Sequence, residues 1–441
     1  MIRPPASPSL MPNAYTPGAA PLAPEDEARI ARRSRLLGPA YRLFYAEPLH
    51  ITRGEGVWLY DRDGHAYLDT YNNVASVGHC HPRVVAAMAQ QAAILATHTR
   101  YLHDGILDYA DRLLALFPPA LSHVMFTCTG SEANDLGYRI ARAASGGTGV
   151  IVTDNAYHGV TLATAEMSMS SGPAVAPGPA VFEVPAPTPE NYPMGLAQGF
   201  AAAVTAACDR MQAAGIKPAL LIVDTIFSSD GVRPDPVGFF APAMEAIRAA
   251  GGLFLADEVQ PGFGRTGSGM WGFQRHGLVP DMVSLGKPMG NGYPMAGLVV
   301  QPKVLAEFGG KSRYFNTFGG NAVAAAVGMA VLDVIRDEGL MQNAATVGAA
   351  FANGLRDLAT RHETLGETRA AGLFLGTDIL TDGQPDGARA GRLVNNLRRE
   401  GILISNTGPR GHILKIRPPL VFATDHMSLF LDRLDTVLRQ V

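Results

Sequence analysis

Six short apolar runs constrain this chain most: HVMFT (123–127), GVIVTD (149–154), ALLIVD (219–224), GLFLADE (252–258), DMVSLG (281–286) and AGLVV (296–300). They do not alternate apolar with polar residues, as a strand with one wet face would, so both faces must be covered. Helical patterns lie between several of them, and such a series builds a mostly parallel central sheet with helices on either side, an α/β fold. Two other regions read differently. GVWLYDRDGHAYLDTYN (56–72) has apolar and aromatic alternation on both sides of Asp-Gly, which predicts a β-hairpin. Beyond residue 320, NAVAAAVGMAVLDVIRD predicts a long helix, followed by an α+β tail holding GLFLGTDIL (372–380), GILIS (401–405) and HILKIRPP before a closing helix.

This order divides the chain into a Pro-rich extended tail (1–24, seven prolines), the N-terminal part of a small domain (25–80), a large α/β domain (81–325) and the C-terminal part of the small domain (326–441). The small α+β domain is thus expected to form from both chain ends. A net charge of −3 gives no basic field for nucleic acid. No apolar run is long enough to span a bilayer, and no secretory signal is visible, so no membrane partner is expected. Cys80, Cys128 and Cys208 show no CxxC spacing, which favours free thiols in a reducing compartment, by default the cytoplasm.

Function enters through the basic residues. The chain has 36 Lys plus Arg, of which only 5 are Lys. One of the five, Lys287, closes the apolar run DMVSLG. A desolvated amine can lose its proton, whereas a guanidinium cannot usefully do so. In an open α/β sheet, ligands bind beyond the carboxyl ends of the strands. Two more groups fall there: Asp257-Glu258 after GLFLA, and Thr129-Gly130-Ser131 opening the helix after HVMFT. The free N–H groups of a helix start suit a phosphate, although an ordinary Ser-capped helix would read the same. Each element alone has a bland structural reading, since Asp257 could simply pair with Arg265. Together, a deprotonatable lysine, a buried acid and a phosphate seat match the needs of pyridoxal 5'-phosphate. GHCHP (78–82) does not suggest a metal site, because adjacent His79, Cys80 and His81 project in different directions.

The stretch DEVQPGFGRTGSGMWGFQRHGLVPDMVSLGKPMGNGYPMAG resembles the signature of the class III, fold type I aminotransferases, which depend on pyridoxal phosphate. NNVASVGHCHPRVV, TCTGSEAND, AYHG and NTFGGN extend the resemblance from about residue 36 to the end. It implies that Lys287 is the Schiff-base lysine and that Asp257 pairs with the pyridinium nitrogen. Val259 would pack under the ring, Gln260 would reach the ring hydroxyl, and Tyr157 would stack on the other face beside His158 and Gly159. Thr129, Gly130 and Ser131 would hold the phosphate, with Glu132 beside them. Thr317 would reach the phosphate of a neighbouring subunit. That makes a homodimer with active sites at the subunit interface, with dimer and tetramer both left open. Ser76 and Val77 would lie nearest the substrate. In one departure, this chain has Asp224 where many members of that family have Glu, one methylene longer.

The resemblance implies an aminotransferase first, moving an amino group from an amine or amino acid to a 2-oxo acid. NNVASVGHCHP, THTRYLHD, YFNTFGGN and GILISNTGPRGHILKIRPP resemble more closely the phosphoethanolamine and phosphohydroxylysine phospho-lyases. The alternative is therefore elimination of phosphate and ammonia from a phosphorylated amino alcohol or amino acid. That reaction needs a cationic pocket, for which Arg42, Arg53, Arg410, Lys415 and Arg417 are candidates. Arg410 is the expected anchor for a carboxylate under either reading.

Overall fold

The computed structural model describes residue 11 and residues 13–440. Its centre is a seven-stranded sheet of β1 (His123–Thr127), β2 (Gly149–Thr153), β3 (Val181–Val184), β4 (Pro218–Asp224), β5 (Leu253–Asp257), β6 (Met282–Leu285) and β7 (Ala296–Val300). The order is β1-β7-β6-β5-β4-β2-β3. The five strands from β6 to β3 pair in parallel. β7 runs antiparallel to both β6 and β1. The sheet is thus mostly parallel, as the apolar runs predict.

Alternation along each strand feeds two cores. Leu221 and Val223 of β4 join one buried cluster with Phe254, Val283 and Phe200. Leu220 and Ile222 of the same strand join a second cluster with Leu136, Ile140 and Leu298. Both faces of the sheet are dry, which is why these strands carry no polar alternation. The edge strand β3 was not among the apolar runs.

Two smaller sheets involve the chain ends. Ile51–Glu55, Trp58–Asp61 and Ala66–Asp69 form an antiparallel meander that includes the expected hairpin. Ile402–Leu403 extends it in parallel from the far end of the sequence. Leu365–Ala371, Phe374–Thr381, Ile413–Ile416 and Ser405–Thr407 form the other sheet. Of the Pro-rich stretch 1–24, residues 1–10 and 12 lie outside the described residues. Its described part is pinned to the body, since Ala14 bridges to Phe44 and buried Asn13 accepts a hydrogen bond from Ser405 Oγ at 3.2 Å.

Candidate active site

The carboxyl ends of β1, β4, β5 and β6 converge on a cavity of about 330 Å³. Nine of the expected cofactor residues line it: Thr129, Gly130, Ser131, Tyr157, His158, Asp257, Val259, Gln260 and Lys287. The strands bring them together because each residue lies at or just past a carboxyl end, or in the turn beside it.

Lys287 begins the short 3-10 turn Lys287–Gly290 directly after β6. Its φ is 29°, in the left-handed region that a residue with a Cβ rarely adopts. It is half-buried and lines the cavity. Burial pushes its amine down from the ordinary 10.5 to about 8. The cation of Arg417 adds to that shift, and the carboxylates of Asp257 and Asp224 oppose it.

Asp257 closes β5 and is held from several sides. His158 Nδ1 lies 2.7 Å from Oδ2, and Asn134 Nδ2 donates to the same oxygen at 2.9 Å. The Val259 N–H donates to Oδ1 at 3.1 Å. Asn134 also donates to the His158 carbonyl at 2.8 Å, which ties the AYHG turn to the helix. Sequence reasoning missed Asn134. It sits one turn into the helix Gly130–Ser145, and only its proximity to Asp257 reveals a role.

At the start of that helix, Thr129 is the N-cap. Its Oγ1 accepts the Glu132 N–H at 3.2 Å, and Glu132 Oε2 accepts the N–H groups of Cys128 and Thr129 at 2.8 and 2.9 Å. The cap is therefore Thr129 rather than Ser131, and Glu132 completes a capping box. The N–H groups of Gly130 and Ser131, in the first turn, have no intrahelical acceptor. A Cβ on Gly130 would come within 2.8 Å of Val259 Cγ2, and one on Gly159 would meet Ser131 Oγ at 2.5 Å. This close backbone cradle, the free N–H groups and the acid opposite them fit pyridoxal phosphate: the helix start would suit its phosphate and Asp257 its ring nitrogen.

The remaining expectations divide. Thr317 is exposed in the NTFGGN loop and does not line this chain's own cavity. Ser76 is fully buried, and its Oγ has no partner. Arg42 and Arg410 are exposed and lie outside the cavity lining. Arg53 is paired on the surface with Glu55 at 2.7 Å.

Lys415 and Arg417 are both buried. They are two residues apart at the end of the strand Ile413–Ile416, a spacing that puts side chains on one face of an extended chain. Arg417 donates to Gln260 Oε1, and its guanidinium lies 4.4 Å over the Tyr71 ring. Among the described residues it has no carboxylate within ion-pair distance, and its Nε has no partner. Burial, with Arg417 alongside, drives the Lys415 amine well below its ordinary value. Asp224 lines the cavity too. It accepts the N–H groups of Ile226 and Ser228 at 3.1 and 3.2 Å and the Ser228 hydroxyl. An acid is thus kept beside the lysine despite the shorter side chain.

The fold and cavity define a fold type I enzyme that uses pyridoxal phosphate. The chain belongs to the class III aminotransferases, the family described as "Aminotransferase class-III", which matches residues 44–438. It is 38% identical over 420 residues to an alanine–glyoxylate aminotransferase 2-like protein of Drosophila melanogaster, covering 91% of this chain and 85% of that one. It is 34% identical to ethanolamine-phosphate phospho-lyase homolog 1 of Caenorhabditis elegans, covering 93% of each. Among solved structures it is similar to a phospholyase from Arthrobacter in complex with phosphoethanolamine. That match has 41% identity and a TM-score of 0.91, over 94% of this chain and 100% of that one. Among the described residues, no helix is long and apolar enough to cross a membrane.

Proposed function

We propose that this enzyme eliminates phosphate and ammonia from a small phosphorylated amino alcohol or amino acid, using Lys287 as its Schiff-base lysine. The observation that carries this reading is Arg417, a buried guanidinium without a carboxylate partner, with Lys415 on the same strand face. A buried cation lacking a counter-ion is costly, and a substrate that brings its own negative charge removes that cost. A phosphate dianion can answer the Arg417 guanidinium and still accept a hydrogen bond from the Lys415 amine, whereas a carboxylate is satisfied by one arginine, bidentately. The sequence alone favours amino transfer, and buried Arg417 without a carboxylate, with the Lys415 amine on the same face, favours elimination. The likeness to the Arthrobacter phospholyase supports the same choice. Amino transfer to a 2-oxo acid is the second reading, favoured by the identity with the alanine–glyoxylate aminotransferase 2-like protein.

Bound pyridoxal phosphate supplies an aldehyde carbon for the amine and a ring that draws electrons from the substrate's Cα. The chain's own residues do the rest. Asp257, fixed by His158 and Asn134, would hold the ring nitrogen protonated. Thr129, Gly130 and Ser131 would hold the phosphate, and Val259 and Tyr157 would flank the ring. Lys287, as a free amine, would accept the Cα proton, and a low amine pKa suits that task. Arg417, bonded to the cavity residue Gln260, would receive the departing phosphate, with Lys415 behind it on the same strand face.

The active unit is a homodimer, with Thr317 serving the partner's cofactor phosphate. Exposed Phe318, Leu102 and Leu162 provide apolar surface for that contact. Free Cys80, Cys128 and Cys208 suit the cytoplasm.

The test is product analysis. The holoenzyme with phosphoethanolamine and no 2-oxo acid is expected to release inorganic phosphate catalytically. Amino transfer to pyruvate or 2-oxoglutarate without phosphate release would establish the second reading instead.

A further inference from the structure

Ser228 lies in the turn that follows β4 and is fully buried. The turn is tight. The Phe227 N–H donates to the Asp224 carbonyl at 2.8 Å, and the Val232 N–H to the Phe227 carbonyl at 3.0 Å. Phe227 and Val232 both adopt left-handed backbone, with φ of 50° and 60°. Such conformations persist only where packing over-determines them. Here the Phe227 ring is held among Phe200, Phe239 and Phe240. The result is a hydroxyl aimed between two cavity residues. Ser228 Oγ donates to Asp224 Oδ2 and accepts from Gln260 Nε2 at 2.9 Å.

These two hydrogen bonds fix the Gln260 amide. With its nitrogen on Ser228, its oxygen must face the other way, where it accepts from Arg417 and, at 3.4 Å, from Asn73 Nδ2. A flipped amide would set an NH2 group against a guanidinium, donor against donor. The same hydroxyl completes a set of three donors on Asp224, with the Ile226 and Ser228 N–H groups. Asp224 is thereby occupied locally and does not pair with Arg417. Arg417 is steered by a neutral acceptor and keeps its charge for a ligand.

We propose that Ser228 is a specificity-determining positioning residue: through Gln260 it holds Arg417 without a carboxylate partner, so that the site selects amino substrates carrying an anionic group. The proposal rests on Arg417 as the anion partner but not on which reaction follows. It is tested by binding rather than turnover. The holoenzyme is titrated with phosphoethanolamine, alanine and uncharged ethylamine, and the change in the cofactor's visible absorbance gives an apparent Kd for each.

Loss of a hydrogen bond to a charged group predicts that Ser228→Ala weakens both anionic amines by about tenfold or more. Ethylamine is expected to change by less than about twofold, because it makes no use of Arg417. Ser228→Thr, which keeps the hydroxyl, is expected to restore the preference. If Ser228→Ala does not fold, Ser228→Cys, close in shape but a weak donor, is expected to show the same selective loss. Equal weakening of all three ligands, or no weakening of the anionic ones, overturns the proposal. If phosphoethanolamine weakens selectively yet no phosphate is ever released, the positioning role stands and the elimination reading fails.

Discussion

Replacing Lys287 by methionine is expected to stabilise the cofactor-free protein, and the gain is expected to depend on pH. In the folded chain the amine titrates at about 8 instead of the ordinary 10.5. Burial is the first cause and Arg417 the second. A base whose folded pKa lies below its unfolded value binds protons more weakly when folded, so holding it protonated opposes folding. Below pH 8 both states carry the proton and the full penalty is present. Between pH 8 and 10.5 the folded state releases its proton first and the penalty shrinks. Above 10.5 both states are neutral and it is gone. At 1.36 kcal/mol per pH unit, the gap is worth roughly 3 kcal/mol, a large share of a typical domain's stability. Methionine matches the length of the lysine stem without its charge. Urea denaturation of wild type and Lys287→Met, both cofactor-free, is expected to show a gain near that size at pH 7 and a much smaller one at pH 10. A gain independent of pH, or a loss at pH 7, would refute the view that desolvation of this amine is what makes it reactive.

Four further outcomes are expected. Gly130→Ala drives a Cβ into Val259 and is expected to weaken pyridoxal phosphate binding by about tenfold, read from visible absorbance during cofactor titration. Asn134→Ala takes one donor from Asp257 and is expected to lower kcat by about tenfold, with the cofactor still bound. Thr129→Ala removes the side-chain half of the capping box and is expected to cost about 1 kcal/mol in urea denaturation. Arg417→Met is expected to raise KM for phosphoethanolamine by roughly a hundredfold, with normal cofactor absorbance.

Much of this arrangement is legible in the sequence. The runs ending in Asp257 and preceding Lys287 are buried on both faces, so they carry a dense apolar signal, and the strand-end rule places the ligand. Other parts were not legible. Val181–Val184 is a short edge strand with a glutamate in it, and Leu365–Ala371 reads LGETRAA, so neither shows an apolar run. Arg410 and Arg417 look equivalent in a linear sequence. Only the pairing of Ile413–Ile416 with Phe374–Thr381 and the turn before it shows which is buried and which exposed. Asn134 and Ser228 carry no sequence signal of their own. Their roles come from partners far along the chain, Asp257 and Gln260.

The chemistry turns on which amine engages the cofactor. Two of the five lysines, Lys287 and Lys415, sit in the interior with lowered proton affinity, and only Lys287 lines the cavity. Borohydride reduction of the yellow holoenzyme, followed by peptide mapping, is expected to place a single pyridoxyl adduct on Lys287. An adduct on Lys415, or none on either lysine, would contradict it.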